Sequence, residues 1–124
     1  MFQIDVMSRV PVYEQLISQI EKLVLSGVLL PGTPLPSVRS LSTALSINPN
    51  TIQKAYSELN ARGVLSSVPG RGAFICENID RFRREKNQKK LQELEASLLE
   101  LRQSGVAKEE ILPLISAVYK EDAL

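Results

Sequence analysis

Four polar side chains recur on one side of a short amphipathic segment: Asn50, Gln53, Lys54 and Ser57. Their types suit the edges of DNA bases, since Asn and Gln can pair bidentately with adenine in the major groove and Lys can reach guanine or a phosphate. The opposite side carries Ile52, Ala55, Tyr56 and Leu59 at the i, i+3, i+4, i+7 spacing of a buried helix face. Asn48 and Pro49 make a strong helix start, with Asn as the N-cap and Pro at the first helical position. Asn48 and Thr51 therefore stand at a helix N-terminus, where free amides and the positive end of the dipole favour phosphate. Any one of these residues alone reads equally well as a solvated surface side chain. Together they point to DNA.

The elements that position this helix are legible on both sides of it. Ser37 can cap a preceding helix that turns Val38, Leu41 and Leu45 inward and ends near Ser46, with Ile47 packed in the turn. Arg39 projects from that helix's first turn, a position suited to a backbone or groove contact. Gly63 ends the third helix, and two β-rich pieces, Val64–Val68 and Ala73–Glu77, read as a hairpin around Pro69-Gly70-Arg71-Gly72. Gly70 and Gly72 permit positive φ, and Arg71 extends from the tip. It is either a solvated turn residue or a contact to phosphate or a narrow minor groove, which attracts Arg. Upstream, a first helix opens at Pro11 with an apolar stripe of Tyr13, Leu16, Ile17, Ile20, Leu23 and Val24. Gly27 stops it, Pro31-Gly32-Thr33-Pro34 enforces a rigid turn, and Leu35 is a short extended piece before Pro36.

From Ile79 the character changes. A long charged helix carries Leu91, Leu94, Leu98 and Leu101 in 3-4-3 spacing, a coiled-coil-like seam widened by Leu99. Ser104-Gly105 breaks it, and a last helix from about Lys108 to Glu121 presents Ile111, Leu112, Leu114, Ile115, Val118 and Tyr119. Pro113 in its second turn removes a backbone donor and predicts a local kink. Arg81, Arg83, Arg84, Lys86, Lys89 and Lys90 read most simply as a solvated face, with a phosphate contact by the first as the alternative. Two amphipathic helices cannot bury both apolar faces as a lone hairpin, so they need a partner copy or the first helix of their own subunit.

Composition narrows the function classes. The 124 residues are 44% apolar and 23% charged, which fits one small domain with an appendage. No apolar run reaches the ~18 residues of a membrane span, and the start lacks a secretory signal, so a cytoplasmic protein is expected. There is no His, which removes the usual general base and the commonest metal ligand, and no acid–base pair or nucleophile constellation stands out. An enzyme is not expected, nor a metal or cofactor. Cys76 is a lone cysteine, a small buried hydrophobe or, less simply, a redox sensor. Residues 1–76 carry Arg9, Lys22, Arg39, Lys54, Arg62 and Arg71 against Asp5, Glu14, Glu21 and Glu58, a net +2. DNA affinity must then come from well-placed donors, helix N-termini and dimerisation.

The motifs in order resemble a known family. Leu35-Pro36-Ser37-Val38-Arg39-Ser40-Leu41, Asn48-Pro49-Asn50-Thr51-Ile52, Lys54-Ala55-Tyr56, Leu59, Gly63 and Gly70-Arg71-Gly72-Ala73-Phe74-Ile75 look like the winged helix-turn-helix domain of GntR-type bacterial regulators. Pro11-Val12-Tyr13-Glu14-Gln15 and Pro31-Gly32 match the family's lead-in. The resemblance implies DNA contacts at Arg39, Asn50, Thr51, Gln53 and Gly70. The family often has Arg at the positions of Pro49 and Gln53, so an operator sequence cannot be borrowed. The short two-helix tail resembles the YtrA subfamily, in which the tail serves dimerisation and the regulators commonly control transporter operons.

The expectation is a mainly α fold with a small β-hairpin wing: a winged helix-turn-helix domain over residues 1–77 and a helical dimerisation tail over 78–124. The expected function is sequence-specific DNA-binding regulation, as a homodimeric repressor on a palindromic double-stranded operator. The DNA-contacting set is Arg39, Asn48, Asn50, Thr51, Gln53, Lys54, Ser57, Gly70 and Arg71. The dimerisation set is Leu91, Leu94, Leu98, Leu101, Ile111, Leu114, Ile115 and Val118. No small-molecule effector is nominated, and a winged-helix protein–protein adaptor is the alternative.

Overall fold

Short-range side-chain chemistry sets the helix ends in the computed structural model, which describes residues 2–120. Helix α1 (Val12–Leu25) starts directly after Pro11. Helix α2 (Val38–Leu45) is capped by Ser37, whose Oγ accepts a 3.0 Å hydrogen bond from the Ser40 amide. It ends at Ser46, held left-handed at φ 55°. Helix α3 (Pro49–Ala61) is capped by Asn48 and begins at Pro49. Strands β1 (Leu65–Val68) and β2 (Gly72–Ile75) pair antiparallel, with Leu65 opposite Ile75 and Val68 opposite Gly72.

Residues 32–35 add a third edge to this hairpin. The Gly32 amide donates to the Ile75 carbonyl at 2.8 Å, Ile75 to Thr33 at 2.9 Å, and Leu35 to Ala73 at 2.9 Å. Pro34, bridged to Phe74, occupies an edge position where no donor is required. The sequence shows only a rigid turn and an extended residue here, because the partner strand lies some forty positions away.

The core joins all of these pieces. Leu16, Ile20 and Val24 of α1 meet Leu41 of α2, Ile52, Ala55, Tyr56 and Leu59 of α3, and Val64, Leu65 and Ile75 of the hairpin. Each fully buried aliphatic side chain contributes about 1.5–3 kcal/mol relative to exposure. The N-terminal segment is strapped to α1 by two glutamines. Gln15 accepts from the Asp5 amide and donates to the Asp5 and Val10 carbonyls, while Gln19 accepts from the Gln3 amide. That fastening seats Phe2 in the core.

The chain divides into two compact units, Met1–Glu85 and Lys86–Leu124. The division falls later than the expected boundary after residue 77, because Ile79 and Phe82 are buried with the first unit's core. The first turns of α4 (Asp80–Gln103) thus belong to the first unit. Arg83, expected on a solvated face, is half-buried there and donates a 3.1 Å bond to the Val24 carbonyl in the last turn of α1.

In the second unit, α4 continues to Gln103, Gly105 turns the chain at φ 91°, and α5 runs Lys108–Tyr119 through Pro113. The Ala107 amide donates to the Glu110 carboxylate at 2.8 Å, fixing the start of α5. The expected end near Glu121 lies outside the described residues. No described residue of this unit is buried.

Candidate nucleic-acid interface

Helices α2 and α3 and their short turn form one braced piece. The Tyr56 hydroxyl of α3 donates a 2.7 Å bond to the Pro36 carbonyl, just ahead of α2. Burial pushes the Tyr56 phenol up to about 12. In the turn, Ser42 Oγ donates to the Ile47 carbonyl, and the Ile47 amide returns a 3.1 Å bond to Ser42. These bonds hold α3 so that Ile52, Ala55, Tyr56 and Leu59 are buried while Asn50, Gln53 and Ser57 face solvent. Gln53 Nε2 donates to Ser57 Oγ at 3.1 Å, which links two of the polar side chains across one turn.

Two expectations change at this surface. The amides at the start of α3 are not free for phosphate: Asn48 Oδ1 accepts from the Asn50 amide at 2.8 Å, and the Asn48 carbonyl accepts from Thr51 at 3.0 Å. Pro49 has no N–H at all. The helix dipole remains, but a phosphate here must use side chains. Lys54 is exposed too, but its side chain bends toward α1. Its ammonium lies 3.9 Å from the centroid of the Tyr13 ring of α1, because the ring face attracts a cation and stands on that flank of α3.

Arg39 on α2 and Arg71 at the hairpin tip are both exposed and in no ion pair among the described residues. Gly70 and Gly72 take φ 78° and 98°, and the Arg71 amide closes the turn on the Val68 carbonyl at 2.9 Å. The hairpin is tied to α3 by Asn60 Nδ2, which donates to Ser67 Oγ at 2.8 Å. Thr51 is half-buried and Asn48 exposed. Arg81, the tail cation nearest the hairpin in sequence, pairs with Glu85 at 3.1 Å.

An ionic brace escaped sequence reading. Glu21 of α1, 8% exposed, accepts a 3.1 Å bond from Arg62 at the end of α3, and Arg62 also bonds Glu58 at 3.0 Å. Glu58 first and Glu21 second hold the guanidinium pKa further above its ordinary range. Only the Arg62–Glu58 pair, four residues apart on one helix, carries a sequence signal. Cys76 packs half-buried against the core, and burial pushes its thiol up, which lowers its thiolate fraction.

The expected tail residues are largely uncovered. Leu91, Leu94, Leu101, Leu114, Ile115 and Val118 are exposed, Val118 at 76%, and Leu98 and Ile111 are half-buried.

The family described as bacterial regulatory proteins, gntR family, matches residues 12–75, the span from α1 through β2. The chain belongs to the GntR family. Its family and named relatives are HTH-type transcription regulators, which makes it a DNA-binding regulator in a non-enzymatic role, and the adaptor alternative has no support among them. The HTH-type transcriptional repressor YtrA of Bacillus subtilis is 50% identical over 78 residues, 63% of this chain and 60% of that protein. A transcriptional regulator from Oenococcus oeni, solved by crystallography, shares the fold at TM-score 0.75 and 34% identity. That match covers 96% of this chain and 99% of the other, so the tail is shared as well. The DNA-binding domain of AraR, solved in complex with operator ORE1, matches at TM-score 0.52 and 31% identity over 61% of this chain and 95% of its own.

Proposed function

We propose that this GntR-family protein is a homodimeric repressor that reads a palindromic operator with α3 and grips the flanking backbone with the hairpin wing. The observation that carries the reading is the polarity of α3: Asn50 and Ser57 are exposed opposite four buried residues, with Gln53 exposed on the flank. Asn50 and Gln53 contact base edges, and Ser57 orients the Gln53 amide. Arg39, Asn48 and Thr51 contact phosphates beside the groove, and Gly70 lets the tip approach closely enough for Arg71 to reach phosphate or minor groove. AraR's domain, solved with its operator, supports DNA binding by a domain of this fold.

The second copy follows from two features. A net charge of +2 over residues 1–76 gives one domain little nonspecific affinity. The tail leaves Leu91, Leu94, Leu101, Ile111, Leu114, Ile115 and Val118 without a buried core, and a second tail around the Leu98 seam covers them. The two α3 helices then enter successive major grooves with centres about 34 Å apart. No described helix is long and apolar enough to cross a membrane, and the regulator acts in the cytoplasm, where an operator is accessible. Control of a transporter operon rests on the YtrA resemblance alone.

Selection of bound duplexes from random DNA, followed by light scattering of the complex, tests this. A palindromic site with two protein copies is expected. A non-palindromic site bound by one copy contradicts it.

A further inference from the structure

Lys54 is the sole cation on α3 and is exposed one position from Gln53, yet its ammonium is turned toward α1. It lies in a groove of about 460 Å³ between α1 and α3, lined also by Tyr13, Glu14, Glu21, Glu58 and Arg62. Glu21 and Glu58 are engaged by Arg62. The Tyr13 hydroxyl bonds Glu14 at 3.3 Å, and the Tyr13 ring, packed against the core, meets the Lys54 ammonium at 3.9 Å. The ring is the contact that turns the cation toward α1, in a groove whose carboxylates favour it there.

We propose that Tyr13 is a specificity-determining residue that acts through Lys54, parking its charge off the DNA-reading face of α3. A free lysine beside Gln53 would bind phosphates of any sequence, and non-operator DNA, on which no base contact fixes the register of α3, would gain more affinity than the operator. With Lys54 parked, α3 meets DNA through neutral hydrogen-bonding groups, and discrimination falls to Asn50 and Gln53. This inference rests on the reading of α3 as the DNA-contacting helix.

The test is fluorescence anisotropy of the full chain on its selected operator duplex and on a scrambled duplex, each titrated across salt. Tyr13→Leu is expected to steepen the slope of log K against log salt by about 0.9, the value of one added phosphate contact. Its affinity for the scrambled duplex should rise several-fold more than for the operator. Tyr13→Phe, which keeps the ring, should match the wild type, and adding Lys54→Met to Tyr13→Leu should restore the wild-type slope. Lys54→Met alone settles the matter independently of how Tyr13→Leu folds: an unchanged slope supports parking. A slope shallower by about 0.9 would overturn it by showing that Lys54 already holds a phosphate. An unchanged slope in a folded Tyr13→Leu protein overturns it too. Wild-type protein that binds neither duplex in a salt-dependent way defeats the α3 reading itself, a separate outcome.

Discussion

The Tyr56 hydroxyl on α3 donates a 2.7 Å hydrogen bond to the carbonyl of Pro36, the residue that leads into α2. One phenol thus fixes where α3 lies relative to the helix before it. Tyr56→Phe keeps the ring in the core and removes only this bond, so it should cost about 1 kcal/mol of stability in a denaturant titration. A loss below about 0.3 kcal/mol would show that the bond is not a brace.

The same phenol gives a pH signature. Its pKa is raised from 10.0 to about 12 in the fold, so the folded state holds the proton more tightly than the unfolded chain. The stability it contributes is complete below pH 10 and is lost as pH rises from 10 toward 12. Wild-type protein should lose about 2 kcal/mol across that window through this group, and Tyr56→Phe should lack that component. Parallel pH–stability curves for the two proteins would contradict the assignment.

Arg62 joins the ends of α1 and α3 through Glu21 and Glu58. Arg62→Ala removes both pairs and one hydrogen bond to a carboxylate that is largely buried. The expected cost is about 1–3 kcal/mol, more than an exposed ion pair is worth. Arg62→Lys should recover only part of it, since an ammonium cannot reproduce the fork. A midpoint shift equivalent to less than 0.5 kcal/mol would place Arg62 among ordinary surface charges.

What the sequence made legible was local chemistry. The Ser37 cap, the Asn48-Pro49 start and the Gly63 stop act on amides a few residues away, so their meaning is contained in a short window. The polar face of α3 was legible for the same reason. Pairing of Thr33 and Leu35 with β2, the Glu21–Arg62 bond 41 positions apart and the seating of Phe82 were not, because packing alone brings those residues together. The α3 amides are a mixed case. Asn48 offered itself both as cap and as part of a phosphate site, and only geometry showed that capping uses the donors a phosphate would need.

The tail can be cut in two places with different results. Ending the chain after residue 77 removes Ile79 and Phe82, both buried in the first unit, and should destabilise the fold by several kcal/mol, about 1.5–3 for each. Ending it after Glu85 keeps both and should leave a folded monomer that binds the operator poorly. Light scattering and a denaturant curve on the two truncations check this. A dimer from the 1–85 protein would move the dimer contact out of the tail.

The most direct test of the central claim, that the exposed face of α3 reads base sequence in two symmetric half-sites, is an operator-variant scan of wild-type protein and Gln53→Ala. Every base pair of the selected site is substituted in turn and affinity is measured at fixed salt. The account predicts that Gln53→Ala loses discrimination at one position in each half-site, by about 1–3 kcal/mol, with the two positions related by the palindrome's twofold axis. A uniform loss at all positions, or a loss in one half-site alone, would contradict it.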